Sequence, residues 1–167
     1  SHYYLKKIFP QKKIFVSSKI KKKLNLNDIK KHDIFILCPW DNFPNIKIDF
    51  FINSRSMMEM THETIDFYFK LIQKKIKKGG YFLCINRYYK DTVGYPIELN
   101  KYPFDNYWKV IVSKKSWKQE HIHYLLLKRT KHHLNDIKQE LKKIKLNYLE
   151  IKKKDKFFWR RVLPIPL

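Results

Sequence analysis

IDFFIN at residues 48–53, SRSMMEM at 54–60, THETIDFYFKLIQKKI at 61–76 and KKGGYFLCINR at 77–87 together decide the fold. IDFFIN, apolar but for Asp49 and its final Asn53, is of strand length and reads as a buried strand. Thr61 suits a helix N-cap, and Glu63 in the first turn meets the positive end of the helix dipole. Ile65, Tyr68, Phe69, Ile72 and Ile76 then recur at helical spacing, with Lys77 and Lys78 at the negative end. Gly79-Gly80 is expected to stop this helix as a left-handed cap, and YFLCIN at 81–86 to form the next buried strand. Strand, helix and strand in this order predict a crossover unit, with parallel strands covered by helices.

Working outward, DIFILC at 33–38 reads as another buried strand ended by Pro39, and residues 13–16 as a short one. Residues 2–9 read as an amphipathic helix stopped by Pro10, and residues 19–32 as a lysine-rich surface helix and loop. Downstream, a loop rich in Tyr, Pro and Asn (88–106) leads to strands at 108–112 and 123–127 around a basic turn, expected to be antiparallel. Parallel strands followed by an antiparallel pair give an α/β domain over residues 1–130. Beyond it, Leu134, Ile137, Leu141, Ile144, Tyr148 and Ile151 alternate spacings of three and four on a charged background. This predicts a helical tail over 131–167 whose narrow seam either packs on the domain or self-associates. Phe157, Phe158 and Trp159 before Arg160 and Arg161 add a candidate contact with a partner or a membrane surface.

The 167 residues carry 37 Lys and Arg against 15 Asp and Glu, a net charge of +22. Residues 1–31 contribute +9, residues 128–167 another +9, and the long middle only +4. All but five of the basic residues are lysine, and the chain contains no alanine. That bias follows from an AT-rich coding sequence, and it is poor in the arginine that reads bases and grips phosphates in pairs. Nucleic acid is therefore not the expected partner, although a basic module for nucleic acid, an anionic glycan or a membrane surface stays as the alternative. Two cysteines, Cys38 and Cys84, exclude a disulfide scaffold and fit a reducing compartment. The apolar runs are too short to span a bilayer, so the expected location is cytoplasmic, with peripheral contact at the inner membrane face left open.

Ligands of open α/β sheets sit at the carboxyl ends of the parallel strands. Three segments leave such ends: Pro39 to Asn42, Asn53 to Met60, and Asn86-Arg87. The middle one packs Asn53, Ser54, Arg55, Ser56 and Glu59 together, which is more polar chemistry than a turn needs.

IDFFINSRSMMEM, KKGGYFLCINR, WKVIVSKKSW and QEHIHYLLLKR, with CPW and SHYYLKKIFP upstream, together resemble the sugar O-methyltransferases over roughly residues 1–130. The resemblance implies a class I Rossmann-like sheet, S-adenosylmethionine as cofactor, and methyl transfer to a hydroxyl of a sugar or polysaccharide precursor. It implies that Asn53 and Ser54 line the boundary between cofactor and substrate, that Trp40 stacks on the adenine and that Asp41 accepts from its amino group. Arg55, Arg87 and His62 suit substrate hydroxyls or a phosphate-bearing carrier. The hydroxyl proton needs an acceptor, for which His123, His121, Glu59 and His62 are the candidates. His121 and His123 stand two apart at the start of a strand and are expected on one face. Such a pair can also bind a divalent metal, and the sequence leaves that open. The chain departs from the family in one respect. Its only glycines are Gly79, Gly80 and Gly94, so the glycine-rich cofactor turn is missing, and the resemblance begins just after the place of the ribose-binding acid. The expectation is a C-terminal portion of a longer enzyme, truncated at its N-terminal side.

Overall fold

The computed structural model describes residues 2–17, 25–38, 41, 45–91 and 94–162, with the side chains of Leu26 and residues 155–162 outside the description. Trp40 and the lysines at 19 and 21–23 lie outside the described residues. The chain separates into two compact units, Ser1–Ile46 and Lys47–Leu167.

The first unit contains α1 (His2–Ile8), β1 (Ile14–Val16), α2 (Leu26–Lys31) and β2 (Ile34–Ile36). β1 and β2 pair in parallel, Phe15 opposite Phe35. A capping box starts α2: Asp28 N donates to Asn25 Oδ1 at 2.9 Å and Asn25 N to Asp28 Oδ2 at 3.1 Å. Asp33 fastens the strand pair, its carboxylate accepting from Lys13 N at 2.9 Å and Lys12 Nζ at 3.3 Å. The Lys13 amide, and after it Lys12, hold the Asp33 carboxyl below its ordinary range.

The second unit runs β3 (Ile48–Ser54), a 3-10 turn (Met57–Glu59), α3 (His62–Lys75), β4 (Ile76–Arg87), β5 (Tyr89–Lys90), β6 (Ile97–Glu98), a second 3-10 turn (Leu99–Lys101), β7 (Trp108–Lys115), β8 (Ile122–Arg129) and α4 (Asp136–Val162). Its main sheet has the order β3-β4-β8-β7. β3 and β4 are parallel and joined through α3, and β8 is antiparallel to both β4 and β7. The fold is thus α/β, with parallel strands, a terminal antiparallel pair and a C-terminal helix, as the sequence predicts. β5 and β6 pair as a small antiparallel ribbon inside the segment expected to be loop.

Three local expectations are corrected. First, Gly79-Gly80 does not cap the helix. α3 begins as expected, Thr61 Oγ1 accepting from Thr64 N, but it ends at Lys75 against an extended Ile76. β4 already starts at Ile76, and the glycines lie in an irregularity of the ladder: Ile48 faces Ile76, whereas Phe50 faces Tyr81. β4 therefore bulges outward by three residues there. Gly79 has φ +86, which only glycine adopts without strain, and a Cβ on Gly80 would sit 2.9 Å from Asp49 O and 3.0 Å from Lys77 O. Gly80→Ala pushes on two backbone carbonyls as well as on the Ile76 side chain, so it is expected to cost about 1–3 kcal/mol, read as a lower urea midpoint. Second, β3 is not buried on both faces. It is the edge of the main sheet, and Phe50 and Ile52 are 46% and 56% exposed. Third, β2 is only half-buried and three residues long.

The core lies on one face of the main sheet. Phe51 of β3, Phe82 and Cys84 of β4, and Leu125 and Leu127 of β8 meet Ile65, Phe69 and Ile72 of α3. Phe82 is fully buried, its ring centroid 5.4 Å from Phe51 and about 6 Å from Phe69, Phe104 and Trp108. α4 packs on the same core. Ile137 and Ile144 are fully buried, and Leu141, Tyr148 and Ile151 lie partly buried beside them. Leu134 precedes the helix and is half-buried. The side chains of Phe157, Phe158, Trp159, Arg160 and Arg161 lie outside the described residues. Among the described residues, no helix is long and apolar enough to cross a membrane.

Candidate functional site

At the carboxyl ends of β3 and β4 the covered face of the sheet changes from hydrocarbon to polar. Asn53 lies opposite Cys84, and Asn86 opposite His123, so Asn53, Asn86 and His123 continue the rows begun by Phe51, Phe82 and Leu125. All three polar residues are buried. Asn86 Nδ2 donates to Asn53 Oδ1 at 2.9 Å and to Cys84 Sγ at 3.1 Å. Asn53 Nδ2 in turn donates to Ser56 Oγ at 2.5 Å. Asn86 Oδ1 has no partner among the described residues, although Asn86 is fully buried. A buried acceptor left without a donor costs about 1–3 kcal/mol, which makes this atom a natural receiver for a donor from a ligand. Cys84 is core rather than nucleophile: burial pushes its thiol up to about 12.

The backbone leaves β3 through a conformation that few residues adopt. Arg55 has φ +63, and its N–H donates to Ile85 O at 2.8 Å, extending the parallel ladder by one bond. A left-handed arginine at a strand tip is the kind of local strain found at functional turns. Met57 and Met58 anchor the following turn, each 1% exposed, while Ser54, Arg55, Ser56 and Glu59 stay outside.

A second polar assembly lies beside the first. His123 Nδ1 meets the Tyr88 hydroxyl at 2.8 Å, and His123 Nε2 meets Ser113 Oγ at 2.7 Å. Ser113 Oγ donates to Glu140 Oε1 of α4 at 2.6 Å. The serine proton is spent on the carboxylate, so Ser113 accepts from Nε2–H, and Nδ1 accepts from Tyr88. Hydrogen bonds thus run from Tyr88 to His123, from His123 to Ser113, and from Ser113 to the accepting Glu140 carboxylate. Burial lowers the His123 pKa to about 4, against the opposing pull of Glu140. Burial likewise raises Tyr88 to about 12, with Glu140 adding to it and a hydrogen bond from Asn147 opposing.

The structure separates several residues that the sequence grouped. His121 and His123 do not share an open face. β8 begins at Ile122, so His121 precedes the strand and is exposed, while His123 is 1% exposed with both ring nitrogens engaged. His121 instead borders a pocket of about 260 Å³ with Tyr88, Tyr89, Tyr148, Ile151 and Lys152. The Tyr89 and Tyr148 rings stack there, 5.3 Å apart and 12° from parallel. Glu59 is exposed and ion-paired with Lys90. His62 is exposed and rests against Tyr95, ring centroids 5.3 Å apart. Arg87 is half-buried at the end of β4, opposite Ile122. In the first unit, Asp41 folds back on its own loop, its carboxylate accepting from Cys38 N. Asn86, Tyr88, Ser113 and Glu140 were not singled out as site residues by sequence. Only Asn86 carried a signal, as a polar residue directly after a buried strand. Among the described residues, no group of three or more His, Cys, Asp or Glu gathers to hold a metal ion.

No protein-family model matches the chain, and no curated protein matches it. Among solved structures, it is similar to a provisionally assigned type 11 methyltransferase from Sulfolobus solfataricus. That similarity is 18% identity over 81% of this chain and 96% of the other, with a TM-score of 0.39.

Proposed function

We propose that the chain is a methyltransferase that uses S-adenosylmethionine and methylates a hydroxyl group of a sugar or sugar-based precursor. The observation that carries this reading is the polar end of the covered face, where Asn53, Ser56 and Asn86 converge at the carboxyl ends of two adjacent parallel strands. The sequence motifs that resemble the sugar O-methyltransferases fall on these same strands and on the antiparallel pair beside them.

The residues at this end fit the donor in one respect. Asn86 Oδ1 is a buried acceptor in want of a proton, and the cofactor carries amino, ammonium and hydroxyl donors. The glycine-rich turn and the strand-end acid of class I enzymes have no counterpart in this sequence, so the asparagine pair stands as the recognisable part of the site. When bound, the cofactor supplies an electrophilic methyl group on a sulfonium. Asn53 and Asn86 orient the ligand, with Ser54 and Arg55 at the rim where substrate approaches. His121 and Glu59 are the exposed candidates for the hydroxyl proton. His123 acts from behind Tyr88, because its accepting nitrogen already takes the tyrosine proton.

Transfer of labelled methyl from S-adenosylmethionine to a panel of free sugars and nucleotide sugars tests the reading. Asn86→Leu removes the orphan acceptor, so it is expected to raise the KM for the methyl donor about tenfold or more while the fold persists. Labelling of no acceptor by the folded wild type, or an unchanged KM in the variant, would count against it.

A further inference from the structure

At the opposite end of the main sheet, where β3 and β4 begin and β8 finishes, an open cleft of about 700 Å³ is lined by Lys47, Lys74, Lys77, Lys78, Arg129 and Lys131, and by no acidic side chain. This exceeds what the lysine-rich composition supplies by chance: six of the ten lining residues are basic, against 37 of 167 in the whole chain. Two of the six are neutralised nearby. Arg129 forms a two-pronged bond to Asp105, and Lys77 pairs with Asp49. Lys47 Nζ donates to Lys74 O at 3.1 Å. Lys74, Lys78 and Lys131 form no ion pair with any described residue.

The cleft is built rather than accidental. Arg129 is fixed by Asp105 and lies over Trp108 and Tyr107, 4.8 and 5.4 Å from the ring centroids. Gln73 Oε1 accepts from Asp105 N at 2.6 Å and Trp108 Nε1 at 3.2 Å, which spends the carbonyl and leaves the amide as donor. A fixed Arg129 and three lysines without an ion pair among the described residues therefore line one cleft. Like charges that line one cleft repel, and an anion between them relieves the repulsion. From this geometry we infer that the cleft binds a small molecule carrying two or more phosphate groups, separately from the candidate methyl-transfer site. A volume of about 700 Å³ lies within the range of small-molecule sites. The multiple charge answers three unpaired ammoniums, which a monoanion does not.

Calorimetric titration of the full chain with inorganic pyrophosphate, and separately with a nucleoside diphosphate, tests this. Binding in the micromolar range is expected, weakened about tenfold or more in Lys78→Glu/Lys131→Glu. Lys138→Glu/Lys142→Glu on the exposed side of α4 makes the same change in net charge and is expected to leave the affinity within about twofold. Tighter binding of the nucleoside diphosphate than of pyrophosphate identifies a nucleotide, and equal binding identifies the phosphates alone. Absence of binding overturns the inference. So does an equal loss in both double variants, because attraction would then follow bulk charge. Affinity for single-stranded oligonucleotides that grows with their length would assign the surface to nucleic acid and overturn it equally.

Discussion

Acidification from pH 7 to pH 4 is expected to remove about 3 kcal/mol of stability from the second unit through His123 alone. The ring is held neutral in the fold, with a pKa lowered to about 4 from the ordinary 6.5. The unfolded chain takes up the proton first, so the contribution is fully present above about pH 6.5 and lost as pH falls through the window down to about 4. Burial explains why charging is opposed, the ring being 1% exposed. Tyr88 and Ser113 occupy both nitrogens, Asn86 and Lys115 are its neighbours across the strands, and Glu140 favours the cation. Urea unfolding followed by tryptophan fluorescence at pH 7 and pH 4 measures the loss. Asp33 also weakens in acid, its carboxyl being held low in the fold, so the difference between wild type and His123→Gln is the informative quantity. The variant is expected to show a pH dependence smaller by about 3 kcal/mol; equal slopes would mean that His123 is not held neutral by the fold.

Phe82→Ala is expected to cost about 3–5 kcal/mol. Phe82 is fully buried at the centre of the main sheet, and four aromatic rings from β3, α3, β7 and the segment before β7 close around it. Truncation leaves a void that the strand backbone cannot fill, since β4 is paired on both sides. Phe82→Leu keeps most of the volume and is expected to cost less than half as much. Chemical denaturation of the two variants distinguishes a packed core from a loosely filled one, for which the two costs would be similar.

The crossover was legible because its signals are local. Thr61 caps the helix, the stripe from Ile65 to Ile72 has the helical period, and FINS and CINR carry polar residues directly after apolar runs. Gly79-Gly80 misled because a glycine pair after a helical stripe reads the same whether it ends the helix or bulges the strand behind it. The packing of Gly80 against Asp49 O, which settles the matter, depends on β3 thirty residues earlier. The exposure of Phe50 and Ile52 was hidden for a similar reason, since an apolar run does not say whether both faces of its strand are covered. The Tyr88, His123, Ser113 and Glu140 relay left almost no trace. Its members sit 35, 10 and 27 residues apart on different elements, and only the register of β7 against β8 and the docking of α4 bring them together. The HIH spacing suggested one shared face, whereas the strand begins at Ile122 and leaves His121 outside it, exposed, with His123 buried.

Binding of S-adenosylhomocysteine, measured by titration calorimetry on protein whose fold has been verified by circular dichroism, tests the central claim most directly. The polar end of the main sheet predicts micromolar affinity, with one site per chain, weakened about tenfold or more in Asn86→Leu. A folded wild type that takes up no ligand at millimolar concentration would contradict the methyl-transfer reading.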